Sequence, residues 1–313
     1  MRSILLATDG SQHALRSAYY LADLYKGASD VHVTVLNVSS AIPPLYREEA
    51  HDPAVRQQFT SWQKRREKEA KEHIGEAVKV LQRGGLKKNR VTAKYRQQAI
   101  GIARDIIHEM NAGEFDACVV GKKGMGWFAS TLFGSITGKL LEVSEDRPLW
   151  LIEGKKWNSR KVLIAMDETR SAVDMARYAG TMLQGVEGVE ILFYHFCAPF
   201  TEDLPPEERK RLKELEKRVV EREKEELVHY YEESKKVLFD LGFPEKSLKF
   251  EFRYHRSARP KKVSQAILDQ VKKGGFGTLV IGRKGATQAR EFRMGSVAMR
   301  TAAESSNCAV WVV

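Results

Sequence analysis

Residues 121–135 read GKKGMGWFASTLFGS, and residues 282–296 read GRKGATQAREFRMGS. Both stretches place two residues between their first glycines and nine residues before a Gly-Ser pair. Each follows a short apolar run, at 117–120 and 278–281, that predicts a buried strand, and each precedes a segment with helical periodicity. A glycine-rich loop between a strand and a helix N-terminus exposes backbone N–H groups that favour a phosphate. Two copies therefore predict a duplicated nucleotide-binding domain.

The strand pattern repeats together with the loops. Residues 2–9 (RSILLATD) match residues 160–167 (RKVLIAMD), and the runs at 31–38, 91–96 and 148–152 match those at 189–196, 248–254 and 309–313. Each half thus alternates five apolar runs with amphipathic segments, which is typical of parallel α/β sheets. We predict two tandem domains, at residues 1–154 and 160–313.

Length and composition agree with this organisation. A chain of 313 residues fits two domains of about 150 residues each. No apolar stretch approaches the ~20 residues that a bilayer span needs, so we expect no membrane span. The three cysteines, Cys118, Cys197 and Cys308, form no close pair, and neither a disulfide framework nor a zinc spacing is evident. A reducing, cytoplasmic location is the expectation.

The net charge of +11 is the one unusual bulk property, and it admits nucleic acid, anionic membranes or phosphate ligands as partners. Basic residues are largely interleaved with acids, as in EERKR at 207–211, which is typical of a solvated helix face. No stripe of aromatic and basic residues accompanies the charge, so we do not expect dedicated nucleic-acid binding. The charged segments Glu48–Gln82 and Pro205–Leu241 predict long, partly exposed helices, the second beginning at its Pro-Pro-Glu-Glu sequence.

An aspartate ends the first strand of each half, Asp9 and Asp167. In open α/β sheets ligands bind beyond the carboxyl ends of the strands, so these carboxylates are placed to meet a nucleoside. The alternative is that each aspartate caps the following helix, for which Ser11 and Thr169 are further candidates. The downstream glycine loop favours ligand contact.

Histidine gives no comparable signal. The eight histidines form no cluster typical of a metal site, and a metal is left open. His195 lies near the end of a predicted strand, although a core or surface role is commoner for such a histidine than a pocket role.

These residues closely resemble the universal stress protein family in its tandem two-domain form, over nearly the whole chain. The most specific part is the Gly-x2-Gly-x9-Gly-Ser spacing, supported by LLATDGS at residues 5–11. The resemblance implies a five-stranded parallel sheet of order 3-2-1-4-5 in each half and binding of ATP, with Mg²⁺ as an optional companion. The implied nucleotide contacts are Asp9, Val38, Gly121, Gly124, Gly134, Ser135 and Ile136 in the first half, and Asp167, Phe196, Gly282, Gly285, Gly295, Ser296 and Val297 in the second.

The second half departs from the family pattern. Phe196 stands where a small aliphatic residue is usual, and Glu168 and Thr169 replace the usual Gly-Ser, so adenine binding there is the weaker expectation. The family also pairs through its fifth strands, which are apolar here and would need cover if they lie at a sheet edge. This implies an intrachain pseudo-dimer, with a further homodimer left open.

The expected function is that of a cytosolic ATP-binding stress-response protein, a sensor or switch that reports to a protein partner. No residue is obviously poised to activate water, so at most weak hydrolysis is expected. Three alternatives remain: a slow ATPase or adenylyl-transfer enzyme of the same fold group, a basic polyanion-binding protein, and a chain whose second half is only a scaffold.

Overall fold

The computed structural model describes residues 1–42, 46, 48–122, 134–144, 147–155, 157–197, 204–254, 260–284 and 294–313. The chain divides into two compact units, Met1–Glu153 and Gly154–Val313, which we call domain 1 and domain 2.

The two domains contain the same succession of elements. In domain 1 these are β1 (Arg2–Ala7), α1 (Gln12–Leu24), β2 (Val31–Ser39), α2 (Pro53–Arg83), β3 (Val91–Gln97), α3 (Ile102–Ala112), β4 (Ala117–Gly121), α4 (Ser135–Val143) and β5 (Leu149–Ile152). In domain 2 they are β6 (Lys161–Ala165), α5 (Ser171–Leu183), β7 (Glu190–Cys197), α6 (Pro206–Asp240), β8 (Leu248–Tyr254), α7 (Pro260–Gly274), β9 (Thr278–Ile281), α8 (Ser296–Glu304) and β10 (Ala309–Val312). Short 3₁₀ turns at Glu49–His51, Lys88–Arg90 and Glu245–Ser247 precede α2, β3 and β8.

Each domain is built on a parallel sheet of five strands. The strand order is β3-β2-β1-β4-β5 in domain 1 and β8-β7-β6-β9-β10 in domain 2, which confirms the predicted 3-2-1-4-5 topology. The register also repeats, because Ala7 lies opposite Leu36 and Ala165 lies opposite Tyr194. In both sheets the order reverses between the first and the fourth strand, where the carboxyl ends of the strands open a crevice.

The core of each domain is formed by strands buried on both faces, as is usual for parallel sheets covered by helices. β4 and β5 are apolar and buried along nearly their whole length, whereas the edge strand β3 is half exposed and carries charged residues. The duplication extends to core aromatics: Tyr20 meets Trp150 edge-on with ring centroids 6.4 Å apart, and Tyr178 meets Trp311 at 6.3 Å.

The helix ends explain how the chain enters each helix. Ser11 caps α1, since its hydroxyl accepts the N–H of Ala14 at 3.2 Å, and this predicted cap is confirmed. At the start of α5 the residue in the cap position is Arg170, which makes no side-chain cap. The predicted capping contact is made by Thr169, whose hydroxyl accepts the N–H of Ser171 at 3.3 Å and also donates to Asp167 at 2.5 Å.

The two long predicted helices are present and are buried mainly toward their C-termini. In α2 the buried residues begin at Ala70, and in α6 they begin at Leu227. The N-terminal halves of both helices are mostly exposed, and that of α6 is mostly charged. Among the described helices, none combines the length and apolarity that crossing a bilayer requires.

Candidate functional site

A cavity of about 150 Å³ lies at the carboxyl end of the domain 1 sheet, which we call cavity 1. It opens beside β1 and β4, where the strand order reverses. Its lining includes five of the residues expected from the family resemblance: Asp9, Val38, Gly121, Gly134 and Ile136. The expected contacts Gly124 and Gly285, and the side chain of Ser135, lie outside the described residues.

Cavity 1 has an apolar part and a polar part. Leu36, Val38, Ile102 and Ile106 provide the apolar wall, which suits a flat base. The polar part contains Asp9 and the N-terminus of α4, whose first N–H groups lack helical partners and favour an anion.

Asp9 does not cap α1. Its Oδ1 accepts the N–H of Ser11 at 2.9 Å, and the side chain is exposed at the mouth of the strand ends. The capping role belongs to Ser11, so the Asp9 carboxylate is placed for contact with a ligand.

The two described glycines of this site serve different purposes. A Cβ at Gly121 would lie 2.3 Å from the backbone of His13, so this glycine allows the end of β4 to approach the start of α1. No described atom lies within 4 Å of where the Cβ of Gly134 would be, so packing in the described structure does not require glycine there. A free space at a helix N-terminus fits the phosphates of a nucleotide.

His13 is a member of the cavity that sequence reasoning missed. It lies in the first turn of α1, and its Nδ1 is buried with no hydrogen-bond partner in the described structure. A buried polar atom without a partner is costly, and a polar ligand would satisfy it. Its position two residues after the capping serine is the only signal in the sequence.

Cavity 2 occupies the same place in domain 2 and is larger, at about 400 Å³. All the described residues expected there line it: Asp167, Phe196, Gly282, Gly295, Ser296 and Val297. Lys284, exposed after β9, also lines it and adds positive charge. Thr301 of α8 faces cavity 2, and its Oγ1 is buried without a described partner, as the Nδ1 of His13 is in domain 1.

The aspartate of domain 2 is held differently from that of domain 1. Asp167 Oδ1 accepts the hydroxyls of Thr169 at 2.5 Å and Ser171 at 2.8 Å, and the N–H of Thr169 at 3.2 Å. The additional hydroxyl donor is that of Ser171, which stands where domain 1 has His13, and it binds this oxygen within the domain together with Thr169.

His195 is buried, in agreement with the expected core role, and it also lies in the wall of cavity 2 together with Glu223 of α6, which was the less favoured expectation. Its Nδ1 lies 2.8 Å from the carbonyl oxygen of Met166, and its Nε2 lies 2.7 Å from Glu223 Oε1. The Cys197 thiol donates to Glu223 Oε2 at 3.0 Å. Sequence reasoning missed Glu223 because it is distant in the chain and belongs to a charged helix.

Burial and hydrogen bonding set the ionisation of this group. Burial alone would raise the pKa of Glu223, but the hydrogen bonds from His195 and Cys197 outweigh it and lower that pKa. Burial, with the Glu223 carboxylate beside it, raises the pKa of the Cys197 thiol well above its usual range. A raised pKa favours the protonated thiol, which is the weaker nucleophile.

The comparisons with known proteins agree on one family. The model of the Universal stress protein family matches residues 1–145 and 158–313. A universal stress protein from Archaeoglobus fulgidus is similar in structure over 99% of this chain and 95% of its own, with 17% identity and a TM-score of 0.58. A protein of unknown function from Pseudomonas aeruginosa PAO1 is similar over 100% and 92%, with 16% identity and a TM-score of 0.54. None of the curated proteins matches the sequence.

Proposed function

The chain belongs to the universal stress protein family, and from this premise we propose that it is an ATP-binding stress-response protein. One nucleotide site belongs to each domain, residues 1–154 and 160–313, with Mg²⁺ accompanying the phosphates. The proposed location is the cytosol, in keeping with three buried cysteines that form no disulfide.

The observation that carries this proposal is the repeated placement of the same residue types at the switch point of both sheets. Each cavity brings together an aspartate that follows the first strand, the glycine that ends or follows the fourth, and the N-terminus of the helix after the glycine loop. The aspartates, Val38 and Phe196 would hold the nucleoside. The glycines, Ser135, Ser296 and the helix N-termini would hold the phosphates.

We assign the protein a role as a sensor or switch with at most weak hydrolysis. In each domain the long helix reaches the nucleotide site. A Cβ at Gly10, next to Asp9, would lie 2.2 Å from the ring of His73 of α2, and Glu223 of α6 lines cavity 2. A nucleotide in either cavity would thus change the contacts of a long helix, and the exposed half of that helix is available to a protein partner.

The family resemblance extends the proposal to assembly. Pairing of the fifth strands, Leu149–Ile152 with Ala309–Val312, would give a pseudo-dimer within one chain and would cover two apolar edges.

The test is to denature freshly purified protein and identify the released nucleotide by chromatography and mass spectrometry. One ATP per domain is expected. If nothing is released, calorimetric titration with ATP and Mg²⁺ follows, with AMP and cAMP as competitors. If no nucleotide is released and none binds in the titration, the proposal is overturned. A single nucleotide per chain would restrict the proposal to one domain. Released ADP or AMP would instead favour catalysis.

A further inference from the structure

Three side chains of different chemistry converge beside cavity 2. An imidazole nitrogen of His195, the Sγ of Cys197 and a carboxylate oxygen of Glu223 all lie within 4.8 Å of one another. His195 and Cys197 alternate along β7 and so share one face of the sheet, while Glu223 approaches from α6. His195 and Cys197 are buried, and Glu223 is partly buried.

The hydrogen bond of His195 to the main chain prepares the ring for metal binding. A backbone carbonyl only accepts hydrogen bonds, so the Met166 oxygen at 2.8 Å holds the proton on Nδ1. Nε2 is then the nitrogen available to a metal, and it faces Glu223, to whose Oε1 it donates a hydrogen bond at 2.7 Å. Donation of the second ring N–H to a backbone carbonyl is a recurrent feature of histidines that bind metals.

Domain 1 has equivalent backbone positions, but they carry side chains that are not metal ligands of this kind. Asn37 stands at the position of His195 and donates its Nδ2 to the carbonyl oxygen of Thr8 at 2.8 Å. Ser39 stands at the position of Cys197 and hydrogen-bonds Tyr95 at 2.9 Å. Counted from the C-terminal residues of α2 and α6, Arg66 occupies the position of Glu223. Domain 2 therefore has imidazole, thiol and carboxylate where domain 1 has an amide, a hydroxyl and a guanidinium.

We propose that domain 2 binds one Zn²⁺ through His195 Nε2, Cys197 Sγ and a Glu223 carboxylate oxygen, with the fourth position open toward cavity 2. Imidazole with thiolate favours Zn²⁺ over Mg²⁺ or Ca²⁺, and three protein ligands with one open position are typical of zinc sites that bind a further ligand. The thiolate and carboxylate balance the two positive charges of the ion. Binding displaces the thiol proton of Cys197 and the Nε2 proton that His195 donates to Glu223, and both protons leave to solvent.

This inference does not rest on the proposed nucleotide function, because none of the three ligands is among the expected nucleotide contacts. If the chain binds zinc but no ATP, only the nucleotide proposal fails. If it binds ATP but no zinc, only the zinc proposal fails.

The test uses the full chain, stripped with a chelator and dialysed against Zn²⁺, with bound metal measured by elemental analysis. One zinc per chain is expected. Co²⁺ should give the near-ultraviolet absorption of a thiolate–cobalt bond, which reports Cys197 directly. No zinc retained after dialysis would overturn the site.

The matched variant is the double substitution His195→Asn with Cys197→Ser, which reproduces the residues that domain 1 already carries in the same frame. It should fold and lose both the bound zinc and the cobalt band. Cys308→Ser, which changes a buried cysteine of the same domain away from the cluster, should retain both. Glu223→Gln should weaken zinc binding at least tenfold. Undiminished zinc in the double variant would contradict the assignment.

Discussion

Asn37 and His195 make the same hydrogen bond in their respective domains. Each side chain donates to the backbone carbonyl of the residue before the site aspartate, at 2.8 Å in both cases. The bond ties the end of the second strand to the end of the first, directly beneath the cavity. Both domains thus place a donor at this position although the residue types differ.

Asn37→Asp replaces this donor with a group of the same shape that only accepts. The buried Thr8 carbonyl would then face a carboxylate oxygen, and we expect the free energy of unfolding to fall by about 1–3 kcal/mol. Chemical denaturation of the full chain measures it. Asn89→Asp, the same change at an exposed position, should alter stability by less than about 0.5 kcal/mol. If both variants lower the free energy of unfolding equally, the hydrogen bond of Asn37 does not stabilise the fold.

Gly10 combines a positive φ of 79° with contact to α2, because its Cβ would lie 2.2 Å from the His73 ring. Gly10→Ala should therefore lower the free energy of unfolding by about 1–2 kcal/mol, because alanine is strained in the left-handed region. The clash with the His73 ring should lower it further. Gly27→Ala is the matched control, since Gly27 has φ 83° and no described atom near its Cβ.

The clash at Gly10 is separable from the strain by a second change. Gly10→Ala is expected to lower the free energy of unfolding more than Gly27→Ala does. Adding His73→Ala to Gly10→Ala should restore this extra loss, and a double-mutant cycle by thermal or chemical denaturation measures it. Additive effects of the two substitutions would rule out the contact between α2 and the loop beside Asp9.

Gly134→Asp places a carboxylate in the free space at the N-terminus of α4. Repulsion of the phosphates should abolish nucleotide binding in domain 1 while domain 2 still binds, so calorimetry should show one site lost per chain. Gly134→Ala, which adds only a methyl group there, should fold and lose much less affinity. Gly295→Asp is the counterpart for domain 2. Unchanged stoichiometry in both aspartate variants would contradict the nucleotide sites.

Thr301→Val removes a hydroxyl that is buried in cavity 2 without a described partner. Because the described part of the structure contains no hydrogen bond of this hydroxyl, stability should not fall. If the hydroxyl meets the nucleotide, affinity at domain 2 should fall by several-fold, consistent with one hydrogen bond of about 1 kcal/mol. Calorimetry against the parent chain measures this. A loss of stability without a loss of affinity would assign Thr301 a structural role.

The sequence by itself determined the duplication and the alternation of strands and helices in each half. Local patterns suffice for these features: apolar runs of strand length, the paired glycine spacing, and an aspartate after the first strand. The strand order and most of the expected nucleotide contacts came from the family resemblance. The carboxyl ends of parallel strands meet at one edge of a sheet, so residues such as Asp9 and Gly121 come together whatever the details of packing.

Only the tertiary structure decided which side chains from distant elements join these residues. Glu223 belongs to a helix whose sequence indicates a solvated face, and its meeting with His195 and Cys197 depends on how α6 packs across β7. The two hydrogen bonds of the Thr169 hydroxyl, one with Asp167 and one with the N–H of Ser171, are likewise a feature that only the structure shows. Such contacts depend on the separation and rotation of packed elements, and neither periodicity nor spacing along the chain determines those quantities.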